Sequence, residues 1–169
     1  MFDDVVLGVD PGTAAVGLAV VERGTSGPRV LWAGTLRTPA GLASELRLRL
    51  LHEGVVTAIR EHAPGAMAVE RLLWGRNSQS AMAVAQASGV IMLAAAEAGI
   101  PVEEYAPLEV KMAVTGVGNA SKEDVRRSLS RLLRMEGVPD EPDSADAAAV
   151  AACHLQQSRL RRMAKGAAR

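Results

Sequence analysis

Residues 5–12 have the sequence VVLGVDPG, and this stretch decides the fold. A short apolar run closed by Pro-Gly predicts a buried strand that enters a tight turn. Asp10 lies where this strand leaves the core, so the sheet would hold its carboxylate rigidly while leaving it open to solvent or a ligand. The alternative is an aspartate that caps the turn through its own backbone, which Asp-Pro-Gly also favours. Three further acids along the chain favour the first interpretation.

The rest of the chain predicts one α/β domain. Strands at 14–22 and 29–38 follow the first through short turns, which predicts an antiparallel meander. Two more short strands are expected at 66–69 and 101–105. The predicted helices cover 42–62, 78–98 and 108–114, one opening at Ser121 and one running from Pro142 to about Leu160. Residues 1–158 would form the single domain, and the basic residues 159–169 a frayed tail.

Helical periodicity predicts the buried faces of these helices. The first helix would bury an apolar stripe made of Leu42, Leu46, Leu50, Val55 and Ile59. The helix opening at Ser121 begins with a capping-box pattern, and its expected apolar face is Val125, Leu129, Leu132 and Leu133. Helix 78–98 is rich in small residues, which allow close approach in the core or across a subunit interface. The histidines are interpreted as core or helix-surface residues: His52, His62 and His154.

Composition restricts the class of protein. The chain has 169 residues, of which 49% are hydrophobic, and this is typical of one globular domain with a substantial core. It has no uncharged apolar stretch of about 18 residues and no basic-then-apolar N-terminus, so neither a membrane span nor a secretory signal is predicted. The single cysteine, Cys153, excludes an internal disulfide and fits a reducing cytoplasm.

The charges are distributed unevenly along the chain. The net charge is zero, yet residues 1–110 carry −4 and residues 111–169 carry +4. A zero sum can therefore hide a basic surface that would suit nucleic acid.

Four acids are placed where they could converge. Asp10 and Glu70 each end a predicted strand, and Asp143 and Asp146 share one face of a helix first turn. Acids in a first turn also simply complement the helix dipole. Drawn together, however, four carboxylates repel one another unless a cation neutralises them. Hard oxygen ligands without nearby Cys or His favour Mg²⁺ or Mn²⁺, and two such ions about 4 Å apart promote attack of water on a phosphodiester.

Several stretches in this order resemble the RuvC-type Holliday junction resolvases, which have a ribonuclease H-like fold. The matching stretches are GVDPG at 8–12, AVE at 68–70, VK at 110–111, GVGNASK at 116–122 and DSADA at 143–147. They span nearly the whole chain in the family's order and spacing. The resemblance implies an α/β fold with a mixed five-stranded sheet, its first three strands antiparallel, flanked by helices.

The resemblance also implies a function. It implies a homodimer that binds a four-way DNA junction and makes paired symmetric nicks with two divalent ions per active site, Mg²⁺ or Mn²⁺. A branch-migration complex of the RuvA/RuvB type is the implied partner. The implied metal ligands are Asp10, Glu70, Asp143 and Asp146, with Lys122 as a catalytic phosphate contact. The implied DNA contacts are Lys111, Lys122 and the wedge loop around Leu73 and Trp74. Two arginines beside this aromatic residue, Arg71 and Arg76, are predicted from the sequence itself to hold phosphates.

The sequence departs from the family pattern at three positions. Leu73 replaces an aromatic residue, Ser88 replaces an arginine, and Asp124 replaces a glutamine. None of these three departures changes any of the four acids. Trp74 could take the role of the missing aromatic residue, whereas DNA contact at Asp124 is in doubt.

Other functions compete with this one. A ribonuclease H-like RNA-processing nuclease would need neither the pair of acids at 143 and 146 nor a wedge loop. An actin-like or sugar-kinase ATP-binding domain would need a duplicated second half, which 169 residues cannot hold. An inactive DNA-binding dimer would have no reason to keep all four acids.

Overall fold

The computed structural model describes residues 4–12, 14–71 and 78–167, with side chains described to residue 158 except at 78–80. The strands are β1 Val5–Asp10, β2 Ala15–Arg23, β3 Pro28–Arg37, β4 Ala66–Glu70 and β5 Val102–Tyr105. The helices are α1 Ser44–His62, α2 Ser78–Glu97, α3 Pro107–Thr115, α4 Lys122–Arg131 and α5 Pro142–Ala167. The predicted order of elements is confirmed, with small shifts at their ends.

The five strands form one mixed sheet in the order β3-β2-β1-β4-β5. β1 and β2 pair antiparallel, as do β2 and β3. β4 lies parallel to β1, and β5 lies parallel to β4. The predicted α/β fold, a ribonuclease H-like mixed sheet with three antiparallel strands and flanking helices, is confirmed.

Helices cover both faces of the sheet, because successive side chains of a strand point to opposite sides. On one face, Leu7 and Val9 of β1 pack in a cluster with α1 and α2. On the other face, Val6 packs in a cluster with α3, α4 and α5. The chain thus forms a three-layer structure with β1 buried at its centre.

Two glycines allow α5 to lie very close to the sheet. A Cβ added at Gly8 would come within 2.1 Å of the Ala147 carbonyl oxygen. A Cβ added at Gly17 would come within 1.9 Å of the Asp143 carbonyl oxygen. Both contacts are with the α5 backbone, which cannot be relieved by rotating a side chain. These two close approaches of α5 therefore require strand positions that carry no side chain.

The predicted buried face of α1 is partly wrong. Leu46 and Leu50 are each 39% exposed, whereas Leu51 and Ala58 are buried. Val55 and Ile59 lie in the core as predicted. Leu50 and Leu51 are adjacent in the sequence, and the choice between them depends on how the helix is rotated against α2 and the sheet.

Two other helices differ from their predicted form. α4 ends at Arg131, so Leu132 lies beyond it and is 66% exposed, not buried as predicted. α5 continues to Ala167, past the predicted end at about Leu160. The basic segment 159–167 therefore extends the last helix.

Among residues 4–12, 14–71 and 78–167, no helix combines the length and apolar character needed to cross a bilayer.

Candidate active site

The site begins where the two central parallel strands end. β1 ends at Asp10 and β4 ends at Glu70, and Val9 pairs with Val69 in the parallel register between them. The two carboxyl groups therefore leave neighbouring strands at the same edge of the sheet. A hydrogen bond joins their side chains. The predicted meeting of these two acids is observed.

A third carboxylate reaches this edge from α5. Asp146 lies in the first turns of that helix, one residue before Ala147, whose carbonyl packs on Gly8 of β1. Its charge acts on both Asp10 and Glu70. The close contact between helix and sheet thus brings the helical acid to the two strand ends.

This concentration of negative charge changes the protonation of the two strand-end acids. Burial, and then the charges of Glu70 and Asp146, raise the pKa of Asp10 to about 7. Burial and the charge of Asp146 also raise the pKa of Glu70, although the hydrogen bond from Asp10 opposes this. Without a cation, the strand-end acids therefore share a proton near neutral pH.

A lysine supplies positive charge at the same place. Lys122 is the first residue of α4, and its ammonium donates a hydrogen bond to Asp146. This bond, helped by the charges of Asp146, Asp10 and Glu70, raises the pKa of Lys122. Lys122 therefore stays charged near neutral pH, and its side chain is 76% exposed.

A capping box fixes the backbone from which Lys122 projects. The Asp124 backbone N–H donates to Ser121 Oγ at 3.1 Å, and the Ser121 N–H donates to Asp124 Oδ2 at 3.1 Å. This confirms the predicted capping pattern. Asp124 also accepts from Arg127 at 2.7 Å, so it is engaged within its own helix.

The fourth acid, Asp143, lies near an arginine that the sequence did not single out. The Arg37 guanidinium, at the end of β3, lies 4.0 Å from an Asp143 carboxylate oxygen. It also donates a hydrogen bond to Glu141, just before α5, and this bond lowers the pKa of Glu141. Arg37 thus ties the start of α5 to the sheet. No local pattern could reveal it, since its partners are far along the chain.

The remaining predicted contacts are only partly described. Lys111 lies on α3, half-buried, and its charge favours the ionised form of Glu70. Arg71 is exposed and lies 3.7 Å from Glu109. The other predicted DNA contacts lie outside the described residues: Leu73, Trp74 and Arg76.

The donor groups suit a hard divalent cation in chemistry and location. The acids offer only carboxylate oxygens, and the shared proton of Asp10 and Glu70 marks the excess charge that a cation would relieve. As the side chains stand, no three His, Cys, Asp or Glu residues in the described chain are close enough to bind one ion. The Lys122 ammonium forms an ion pair with Asp146, and Arg37 lies beside Asp143. Metal binding would exchange such contacts for ligation.

Comparison with known proteins shows the family. The family model for "Crossover junction endodeoxyribonuclease RuvC" matches residues 6–154. A protein of that name from Moorella thermoacetica is 50% identical over 149 residues, covering 88% of this chain and 89% of the relative. Its counterpart from Syntrophomonas wolfei is 43% identical over 155 residues, covering 92% and 90%.

Solved structures agree with this match. Thermus thermophilus RuvC in complex with a Holliday junction substrate has a TM-score of 0.85 and 34% identity, covering 92% of this chain and 95% of the other. The yeast mitochondrial Holliday junction resolvase Ydc2 has a TM-score of 0.68 at 14% identity, covering 95% and 85%, and shares the fold.

This chain belongs to the RuvC family of crossover junction endodeoxyribonucleases. The members of this family are metal-dependent nucleases that hydrolyse DNA.

Proposed function

We propose that this protein is a Holliday junction resolvase. It binds a four-way DNA junction as a homodimer and makes paired symmetric nicks by hydrolysing one phosphodiester per subunit. The observation that carries this proposal is the meeting of Asp10, Glu70, Asp146 and Lys122 at one sheet edge, in a chain of the RuvC family.

The proposed metal ligands are the four acids Asp10, Glu70, Asp143 and Asp146. They would hold two Mg²⁺ ions, and Mn²⁺ is also suited to oxygen ligands. Bound ions would activate a water and neutralise charge on the scissile phosphate. The protein contributes rigid placement, because two ligands are strand ends and two belong to a helix packed on glycines.

The basic residues would hold the DNA. Lys122, released from Asp146, would contact the scissile phosphate, and Lys111 would contact the backbone nearby. Arg71 and Arg76 would bind phosphates around the wedge formed by Leu73 and Trp74. The ring of Trp74 would stack on an unpaired base at the crossover, worth about 1–3 kcal/mol per base.

A synthetic four-way junction tests the proposed activity. With each strand labelled in turn and Mg²⁺ present, we expect two nicks at symmetric positions on opposite strands. A linear duplex of the same sequence, the control, should stay intact. Equal cutting of the duplex, or trimming of RNA without junction cleavage, would favour the alternative RNA-processing or general nuclease function.

Lys122→Ala should slow cleavage more than it weakens junction binding. A positioned cation that stabilises developing charge contributes about 10²–10³-fold in rate, whereas an ordinary phosphate contact contributes affinity and salt dependence. Single-turnover cleavage at saturating junction, with binding measured in parallel, separates the two.

Arg131→Ala is the matched control for this prediction, since Arg131 is an exposed cation at the other end of α4. It should leave the single-turnover rate near wild type. Equal losses of rate and affinity in Lys122→Ala would reduce Lys122 to a backbone anchor.

Mg²⁺ binding should release protons at low pH. Because the pKa of Asp10 is raised to about 7, its carboxyl group is largely protonated below that pH and must lose its proton to bind a cation. Calorimetry in buffers of different ionisation enthalpy should detect proton release at about pH 6 and much less at about pH 8, because the raised pKa of Asp10 lies between these values.

The raised pKa of Asp10 also determines how the folding stability changes with pH. The pKa of Asp10 in the folded protein lies above its ordinary value of 3.8, so the folded state binds the proton more tightly than the unfolded state. In the metal-free protein, this group's contribution to stability is therefore greatest below the unfolded pKa and is lost as the pH rises through about 7. If Mg²⁺ binding releases equal numbers of protons at about pH 6 and about pH 8, the raised pKa of Asp10 is contradicted.

The proposed dimer interface is the exposed apolar side of α2. Met82 is 54% exposed and Leu93 is 50% exposed on this helix. A groove of about 360 Å³ runs beside it, lined by Ala81, Ala85, Ser88, Gly89, Met92, Arg71 and Glu104. Small residues allow a second helix to approach closely, and a two-fold axis would relate two active sites and two nicks.

Leu93→Glu should convert the dimer to a monomer, because it places a charge in an apolar interface. Light scattering at micromolar concentration should show the mass of one chain for this variant and of two chains for the wild type. Leu132→Glu is the control, since Leu132 is 66% exposed outside α2. A monomeric wild type that still cleaves junctions would contradict the dimer.

We also propose a branch-migration complex of the RuvA/RuvB type as the partner that delivers junctions. A cytoplasmic location fits an enzyme that acts on chromosomal DNA. The one cysteine, Cys153, is buried and free, in accord with a reducing compartment.

A further inference from the structure

A buried polar pair connects α5 with the end of β5. Tyr105, the only tyrosine of the chain, is 2% exposed, and His154 is 5% exposed. The Tyr105 hydroxyl and His154 Nδ1 form a hydrogen bond of 3.0 Å. Their rings meet edge to face, with centroids 5.9 Å apart. Neither side chain has a role in the mechanism proposed above.

The tyrosine is linked through its backbone to a proposed metal ligand. In the parallel register between β4 and β5, Tyr105 pairs with Glu70. The Arg71 backbone N–H, directly after Glu70, donates to the Tyr105 carbonyl at 2.8 Å. The backbone that carries the Glu70 carboxylate is therefore held by the residue whose side chain contacts α5.

The histidine is linked to the other side of the site. His154 lies on α5, the helix that carries Asp143 and Asp146. It is two turns beyond Asp146, about 12 Å along the axis. Being buried at that distance, it cannot bind the metal ions or the DNA itself. Any effect on the reaction must pass through the position of the helix.

The contact joins two elements that also pack together through apolar side chains. Tyr105 belongs to the same buried apolar cluster as Val110 and Val114 of α3 and several alanines of α5. A second polar contact in this region, from the Cys153 thiol to the Glu109 carbonyl, is long at 3.8 Å and involves a weak donor. Apolar surfaces can slide over one another, whereas a hydrogen bond defines one relative position.

We propose that Tyr105 and His154 are positioning residues that set the separation between Glu70 and Asp146. The proposal rests on the proposed function, because it assigns these two acids to the metal site. Partners that orient metal ligands change affinity or activity by 10–100-fold when they are removed. The pair thus acts on the rate of the chemical step and on metal affinity, with little effect on DNA binding.

The first test is Tyr105→Phe, which removes the hydroxyl and keeps the ring. We expect kcat for junction cleavage to fall about tenfold and the Kd for Mg²⁺, measured by calorimetry, to rise about tenfold. KM for the junction should change less than about twofold. The melting temperature should fall by only about 2–4 °C, as for the loss of one hydrogen bond.

A matched control separates positioning from general stability. Ile91→Val shortens a buried side chain on the opposite face of the sheet, at 0% exposure. It should lower the melting temperature by a similar amount but leave kcat and the Kd for Mg²⁺ at wild-type values. Equal losses in both variants would mean that the pair is merely structural, which would overturn the proposal.

Substitution of the partner gives an independent test. His154→Gln keeps a hydrogen-bonding group in the buried site, and His154→Leu does not. The glutamine variant should recover at least part of the rate and Mg²⁺ affinity lost in the leucine variant. Identical losses in the two would overturn the proposal. A wild-type protein that cleaves no junction would instead contradict the proposed function, and Mg²⁺ affinity would still report on the pair.

Discussion

Asp10→Asn should abolish junction cleavage while junction binding remains. Asparagine has nearly the same shape as aspartate but is neutral, so it weakens metal ligation and removes repulsion toward phosphate. Asp10 lies at the centre of the site, since both Glu70 and Asp146 act on its pKa. Loss of a partner of a metal ligand already costs 10–100-fold, so loss of the ligand itself should exceed about a hundredfold in rate.

The measurement compares single-turnover cleavage with gel-shift binding of the same junction. Glu53→Gln serves as the control, because Glu53 is an exposed acid on α1, 3.6 Å from Arg49. An exposed ion pair of this kind contributes about 0–1 kcal/mol, so this variant should bind and cleave normally. An Asp10→Asn protein that cuts near the wild-type rate would exclude the metal-ligand role of Asp10.

Gly17→Ala should strongly destabilise the fold and remove activity. The added methyl group would lie 1.9 Å from the Asp143 carbonyl oxygen, so either β2 or the start of α5 must move. Overpacking of a core usually costs about 1–3 kcal/mol, and here the obstacle is backbone. We expect a loss of about 3 kcal/mol or more, which lowers the melting temperature by roughly 6–12 °C at this chain length.

Cleavage activity should fall by more than the loss of folded protein explains, since the helix that moves carries Asp143 and Asp146. Cleavage should therefore stay low at temperatures where circular dichroism shows the variant fully folded. Glu22→Ala, also on β2, is the control; it breaks a surface ion pair with Arg29 and should cost less than about 1 kcal/mol. A Gly17→Ala protein with normal melting and cleavage would mean that α5 does not rest on this glycine.

The order of strands and helices could be predicted from the sequence because its signals are local. Alternating or continuous apolar runs, turn residues and the capping box at Ser121 act within a few residues of one another. The same local signals placed Asp10 and Glu70 at strand ends, and parallel pairing then brought them to one edge. The acids of the candidate site were therefore identifiable before the fold was known.

The contacts between distant segments were not predictable in this way. Leu50 and Leu51 are equally apolar, and only the packing of α1 decides that Leu51 is the buried one. Arg37 lies next to Asp143, and Tyr105 bonds to His154, although nothing near these residues in the sequence indicates their partners. Such pairs form only when elements from separate parts of the chain are assembled.

The sequence alone thus determined the elements of this nuclease and the acids that end its strands, since periodicity and turn chemistry act over short distances. The tertiary structure decided how closely those acids approach one another. The distance from Asp146 to these two acids depends on α5 resting against Gly8 and Gly17, a contact between backbones far apart in the chain. The tertiary structure also decided that Lys122 pairs with Asp146. The attraction between two charges depends on their distance in space and not on their separation in the sequence.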